Sequence, residues 1–332
     1  MAYGFLNCFL IFTNKDEEQA MFTVSIFLRS VLCGAATFAM LSTVQAQTKI
    51  NVGSGPTLAV AGVQLAIEKG YFEEEGLEVS VTPLQSGAAV LASLVGGSLH
   101  FVPSNIVSIA VAQSRGIKLQ IVSPQTAAAK DRSHDAILVR GDSPIKRAKD
   151  LEGKTIAVNA VNSIGTLTAS RAIEKDGGDY KSVKWIELPQ GDAMTALATG
   201  NVDAIWIVEP FVTIGENRGF RNLLSAYNET HPGFVEATMV ATESFLKENP
   251  EVGAKFARAM QKTMKLGADN PEEIRDMLPT YLRIDEDVLR DLALPVFHTE
   301  LNTASIQEQI DLATRYGYIK KPISMADIIW KP

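Results

Sequence analysis

The order strand–helix–strand–helix is written into this chain twice, and that repetition limits the fold more than any other feature. The first copy opens with a short strand, Lys49–Val52, and the loop Gly53-Ser54-Gly55-Pro56. An apolar-periodic helix runs from Ala59 to Glu68 and ends at Lys69-Gly70; lysine in a last turn and glycine after it stop a helix. Leu77–Thr82 alternates as a strand. Gln85-Ser86-Gly87 opens a second helix to Val95, stopped by Gly96-Gly97. A strand at Leu99–Val102 ends at Pro103-Ser104-Asn105, a third helix spans Ile106–Ser114, and Leu119–Ser123 is a fourth strand.

The pattern then restarts. Thr155–Asn159 is a strand, and Asn162-Ser163-Ile164-Gly165-Thr166 turns into a helix. That helix ends Ala172-Ile173-Glu174-Lys175-Asp176-Gly177, where the first copy has Ala66-Ile67-Glu68-Lys69-Gly70. Val183–Leu188 is the next strand, and Gln190-Gly191-Asp192 opens a helix closed by Gly200 before the apolar strand Ile205–Val208. Leu84…Gly87…Leu94…Gly97 is answered, with a slip of one residue, by Leu188…Gly191…Leu197…Gly200. One such match is chance; two in order argue for two similar lobes. Strands alternating with helices predict an α/β fold with parallel sheets faced by helices. From Thr238 the character changes: Met239-Val240-Ala241 reads as a strand-like return, and the rest is helical. The simplest topology is lobe I at 47–130 and 238–332 and lobe II at 131–237, with crossings near 124–136 and 236–242 that form a hinge.

Residues 1–46 read as a leader. Two apolar stretches, Gly4–Phe12 and Val24–Val44, flank the run Lys15-Asp16-Glu17-Glu18. Arg29, the apolar core after it and Val44-Gln45-Ala46 have the order of a secretory signal, with the start at Met21 and cleavage after Ala46. Both cysteines, Cys8 and Cys33, fall in this leader. The exported chain is thereby left without disulfides, thiol nucleophiles or cysteine metal sites. A net charge of −7 without a long Lys/Arg run argues against a nucleic-acid partner. His134, His231 and His298 are scattered, so no metal and no cofactor is expected.

In a parallel α/β sheet, ligands bind beyond the carboxyl ends of the strands. Here those ends carry Ser54, Gln85-Ser86-Gly87, Ser104, Asn162-Ser163-Ile164-Gly165-Thr166 and Gln190-Gly191-Asp192, each before a helix. Helix starts present unpaired N–H groups and a partial positive charge, which suits a small polar or anionic ligand. Any one of these turns can be a simple N-cap, worth about 1 kcal/mol; the functional case rests on all of them sharing one edge. Ser163 and Thr166 form the strongest pair, because Gly165 between them opens the turn. Glu209-Pro210-Phe211 ends a buried strand, so Glu209 either sits at the cleft mouth or makes a structural ion pair. Trp206 and Phe211 either pack in the core, the more frequent outcome, or stack on a flat ligand.

Three stretches carry a family resemblance. Ile67-Glu68-Lys69-Gly70-Tyr71-Phe72-Glu73-Glu74-Glu75-Gly76-Leu77-Glu78-Val79, Asp150-Leu151-Glu152-Gly153-Lys154-Thr155-Ile156-Ala157-Val158, and Gly200-Asn201-Val202-Asp203-Ala204 with Glu209-Pro210-Phe211 resemble motifs of the periplasmic substrate-binding proteins of nitrate/sulfonate/taurine-type ABC importers, a group that includes pyrimidine-precursor binders. The resemblance covers 47–332. It implies a type II periplasmic-binding fold, a monomer that captures a small molecule and hands it to a membrane permease with a cytoplasmic ATPase. It also implies ligand contacts from Ser54, Gln85, Ser86, Gly87, Ser104, Ser163, Gly165, Thr166 and Glu209, with Asn162 beside them. Gly53-Ser54-Gly55-Pro56 replaces the aromatic loop usual in pyrimidine binders, which favours a sulfonate- or carboxylate-like anion. A fungal thiamine-pyrimidine synthase resembles the same fold but carries a cysteine cluster, which 47–332 lacks, so an enzyme is not expected. A ligand-sensing receptor on the same fold stays open.

Overall fold

The computed structural model describes residues 47–55, 57–84 and 87–332. The leader, with its start, cleavage site and both cysteines, lies outside the described residues, as do Gln85 and Ser86. In chain order the strands are β1 (Thr48–Ser54), β2 (Leu77–Pro83), β3 (Val102–Ser104), β4 (Leu119–Ala127), β5 (Asp135–Val139), β6 (Thr155–Val158), β7 (Lys184–Glu187), β8 (Ala204–Val208), β9 (Arg221–Leu224), β10 (Val235–Thr242) and β11 (Val296–Phe297).

Two sheets of matching order result. In one, β1 pairs in parallel with β2, a bridge from Val52 to Phe101 sets β1 beside the approach to β3, and the rest runs β3-β10-β4-β11. The other runs β7-β6-β8-β5-β9. Position by position, β2, β1, β3, β10 and β4 answer β7, β6, β8, β5 and β9. The repeated glycines play the same role in both: Gly97 and Gly200 end equivalent helices at φ of 77° and 74°, a left-handed conformation that an L side chain resists.

The sheets depart from the sequence reading in one respect. They are mixed, not parallel throughout. β10 is antiparallel to β3 and β4, and β5 is antiparallel to β8 and β9. Each antiparallel strand is the first one laid down after the chain crosses from the other sheet. The expected strand at Leu99–Val102 is displaced to Val102–Ser104, and β5 and β9 have no counterpart in the sequence reading.

β5 and β8 are buried along their whole length, as central strands are. Their side chains alternate between two cores. Ile137, Val139, Trp206 and Val208 join Ile164, Tyr227 and Phe234 on one face; Ala136, Leu138, Ile205 and Ile207 join Met194 and Leu197 on the other. The helix Pro250–Asp269 packs back on the first sheet through Phe256, Met260 and Met264. Phe256 stacks 3.8 Å from Phe101 and 5.1 Å from Phe72.

The two crossings are zipped together. Ala128 N donates to Phe234 O at 2.9 Å, and Asn228 Nδ2 donates to Ala129 O at 2.9 Å. Farther out, the helix Ile164–Lys175 lies against the helix Ile106–Ser114. Ser163 Oγ is 3.1 Å from Ser108 Oγ, Leu167 is buried with Ile106 and Val107, and Tyr316 donates to Glu174 Oε2 at 3.0 Å.

Candidate functional site

A cavity of about 130 Å³ opens where the carboxyl ends of parallel strands from both sheets converge. Thr57 and Ala59 follow β1, and Ser104 and Asn105 end β3. Asn159 follows β6, Ile164 begins the next helix, and Gln190 begins the helix Gln190–Ala198. Trp206 and Val208 come from β8, Tyr227 from the helix Ala226–Thr230, and Glu236 and Ala237 from β10. Beyond the ends of the strands is where a doubly wound sheet offers space, because helices cover its faces.

The polar groups at the rim are held in place. Asn105 Oδ1 accepts from Ser108 N at 2.9 Å as an N-cap. Gln190 Oε1 accepts from Val208 N at 3.0 Å, which fixes the amide at the end of β8. Asp135 accepts from the Ser133 and Ser225 hydroxyls at 2.5 Å and from Tyr227 N at 3.0 Å, so a buried acid seats the tyrosine in the wall. Burial pushes both Asp135 and Tyr227 above their ordinary pKa values. Tyr227 stands edge-on to Trp206 at 5.8 Å and stacks on Phe234 at 4.8 Å. The Trp206 indole N–H has no hydrogen-bond partner among the described residues, although the residue is only 2% exposed.

Among the described residues that line the cavity, Glu236 is the single acid and none is a Lys or Arg. Its Oε2 accepts from Thr126 Oγ1 at 2.5 Å and lies 3.1 Å from His134 Nε2, an ion pair whose N–H is not aligned for a hydrogen bond. Burial presses the His134 imidazole down, but the Glu236 charge and lesser acidic neighbours outweigh it and hold the ring above its usual 6.5. Burial pushes Glu236 up, and His134 and Thr126 overcome that push, leaving it below its usual 4.5. The acid's contribution is present above 4.5 and is lost as pH falls through its lowered value. The imidazole's is present below 6.5 and is lost as pH rises through its raised value. Both are therefore in full force between pH 4.5 and 6.5. The stability gap between the wild type and His134→Gln, read from urea midpoints, is expected to be widest in that window and to narrow on both flanks. A gap that ignores pH would mean the pair is not ionised.

The residues named from sequence take different places. Ser104 lines the cavity. Ser163 caps the helix that Ile164 begins and faces Ser108 of the helix Ile106–Ser114. The Thr166 hydroxyl is used by the helix start: it accepts from Ser163 N at 3.1 Å and donates to Ser163 O at 2.9 Å. Gly165 is required for a reason other than an open turn. A Cβ there would meet Trp206 ring carbons at 2.6 and 2.8 Å. Asn162 is exposed, with φ of 55°, a conformation asparagine tolerates. Ser54 is buried and its Oγ donates to Gly55 O at 2.8 Å. Gly87 begins the helix Gly87–Val95.

Glu209 is not among the described residues that line the cavity, and it makes no ion pair among the described residues. It accepts from Thr213 N at 3.0 Å, Thr213 Oγ1 at 2.8 Å and Ala293 N at 2.9 Å, which ties β8's end to the C-terminal segment. Burial raises its pKa despite these donors. Asn159, Tyr227 and Glu236 line the cavity without having been singled out. Asn159 had the signal of a polar residue ending a strand, and Glu236 that of an acid inside the apolar run Phe234–Val240.

The comparisons with known proteins agree with this architecture. A Bacillus subtilis protein provisionally named an aliphatic sulfonates-binding protein is 27% identical over 80% of this chain and 81% of its own. A formylaminopyrimidine-binding protein of Halalkalibacterium halodurans is 23% identical over 65% of this chain and 64% of its own. The crystal structure of the periplasmic aliphatic sulphonate-binding protein of Escherichia coli superposes with a TM-score of 0.68 at 20% identity, covering 86% of this chain and 92% of that one, which shows the shared periplasmic binding fold. The family described as NMT1/THI5 like matches residues 58–274, and the chain belongs to it.

Proposed function

We propose that this chain is the solute-binding component of an ABC importer. It captures a small organic anion, sulfonate- or carboxylate-like, between lobe I (47–130 with 238–332) and lobe II (131–237). It acts after export and cleavage behind Ala46, and it delivers the solute to a membrane permease coupled to a cytoplasmic ATPase. One observation carries the reading: the cavity is rimmed by polar helix starts from both lobes, at Asn105, Ile164 and Gln190, with no lysine or arginine among the described residues of its lining. Dipoles of this kind hold an anion without a fixed countercharge and release it at lower cost than a buried ion pair. Ser104 and Ser163 are the hydroxyls of the sequence reading best placed to help.

A pyrimidine precursor is the second reading, favoured by the aromatic walls of Trp206 and Tyr227, on which a flat ring can stack. Thermal unfolding with sulfonates, carboxylates, nitrate and aminopyrimidines separates the two. A true ligand at a hundredfold excess over its Kd stabilises by about 2.7 kcal/mol. Stabilisation by sulfonates or carboxylates is expected. Stabilisation by pyrimidines alone would transfer the assignment to the second reading, and stabilisation only by cations would refute both.

A further inference from the structure

The cavity holds one acceptor and one donor that the protein leaves unused. Thr126 and His134 both engage Oε2 of Glu236. Oε1 receives no hydrogen bond from any described residue, and the side chain keeps 13% exposure. The Trp206 N–H is buried and equally unpartnered. Unpaired buried polar groups are costly, and a native structure tolerates them where a ligand completes them. Two unengaged polar atoms on residues lining one small cavity describe the molecule that fits: it carries an N–H donor for Oε1 and an acceptor for the indole N–H.

Resting on the reading of this cavity as the ligand site, we propose that Glu236 selects the solute by accepting, through Oε1, from an N–H group of the ligand, while the Trp206 N–H donates to an acceptor atom of the same molecule. The ligand class is a small organic molecule with an amine, ammonium or amidine group together with an oxygen or ring-nitrogen acceptor. An inorganic anion or an amine-free acid supplies only half of this. It would leave the carboxylate oxygen desolvated and unpaired, which is how sites built around a polar group reject analogues that lack the partner.

The placement of Glu236 adds a consequence. Thr126 closes β4, His134 lies in the first crossing, and Glu236 opens β10 after the second. The carboxylate, carried by β10, is thus gripped by Thr126 and His134 at the first crossing, and the two crossings are themselves joined through Ala128 N and Phe234 O. A ligand bound to Oε1 is anchored on the hinge, and the helix starts of the two lobes close on its other end.

The test uses the full chain and two matched pairs of probes in titration calorimetry: 2-aminoethanesulfonate against ethanesulfonate, and 4-aminopyrimidine against pyrimidine. Wild type, Glu236→Gln and the double variant His134→Gln/Glu236→Gln are compared; the double variant guards against misfolding from a stranded imidazolium. A charge-assisted hydrogen bond predicts that the wild type prefers the amine-bearing member of at least one pair by about 10- to 100-fold. The preference is expected to disappear in both variants, while binding of the amine-free partner stays within about threefold. Equal binding within both pairs by the wild type, or a preference that survives in both variants, overturns the role of Glu236 and leaves the cavity standing as a ligand site. If none of the four probes binds, the ligand reading itself fails and the proposal falls with it.

Discussion

Gly165→Ala unfolds at lower urea than the wild type, by about 1–3 kcal/mol of stability, and Gly165→Val binds no ligand. The reason is the distance between two elements. Gly165 lies in the first turn of the helix Ile164–Lys175, directly over the Trp206 indole. A methyl group there would sit 2.6 to 3.1 Å from three ring carbons. The indole cannot give way cheaply, since it belongs to the central strand β8, is only 2% exposed and has Tyr227 against its edge. Either the helix start lifts off the cavity or the indole turns, and both rearrange the wall. Gly191→Ala is the control. It lies in the neighbouring helix Gln190–Ala198, and its added methyl would meet only a Phe211 ring carbon at 4.0 Å. Removing a helical glycine there should be neutral or stabilise by about 0.4–1 kcal/mol. Equal urea midpoints for wild type and Gly165→Ala would show that the helix is not seated on the indole as described.

That glycine marks how far the sequence could be read. The doubled unit was visible because it depends on local chemistry: helix-stop glycines such as Gly97 and Gly200, and polar caps such as Asn105, act within a few residues of themselves. Ser104, Ser163 and Gln190 were legible for the same reason. What the local pattern does not contain is the partner across the fold. Gly165 reads as an open turn until Trp206, forty-odd residues later, is laid beneath it. Asp135–Val139 is a short apolar run with no alternation, because both its faces are buried, so nothing in its pattern distinguishes it from a connector. Its antiparallel setting depends on the crossing that precedes it, and the same holds for β10. Glu236 is gripped by Thr126 and His134, which lie more than a hundred residues earlier in the chain. An acid in an apolar run announces that it needs a partner but not which one. Trp206 resolves an alternative by taking both sides of it, a core residue on one face of β8 and a cavity wall at the strand's end.

Glu209→Ala is expected to lower stability by at least about 2 kcal/mol and to loosen the closed state, while leaving the cavity lining intact. Glu209 accepts three hydrogen bonds, two from Thr213 and one from the backbone N of Ala293. It is only 1% exposed, so its removal strands donors that water reaches poorly. The Ala293 bond joins the end of β8 to the C-terminal segment of the chain and is separate from the contacts made by Ser163, Glu174 and Tyr316. Its loss removes one of several independent ties, which predicts a larger radius of gyration for the ligand-free variant and a weaker affinity through a smaller closed population. Glu209→Gln keeps one acceptor oxygen but turns an NH₂ toward at least one of the three donors, so it should fall between wild type and alanine. Urea unfolding and small-angle scattering decide the matter together. A ligand-contacting Glu209 would give the opposite pattern, with binding lost at unchanged stability and unchanged radius. That outcome would return the residue to the cleft mouth, where the sequence alone allowed it.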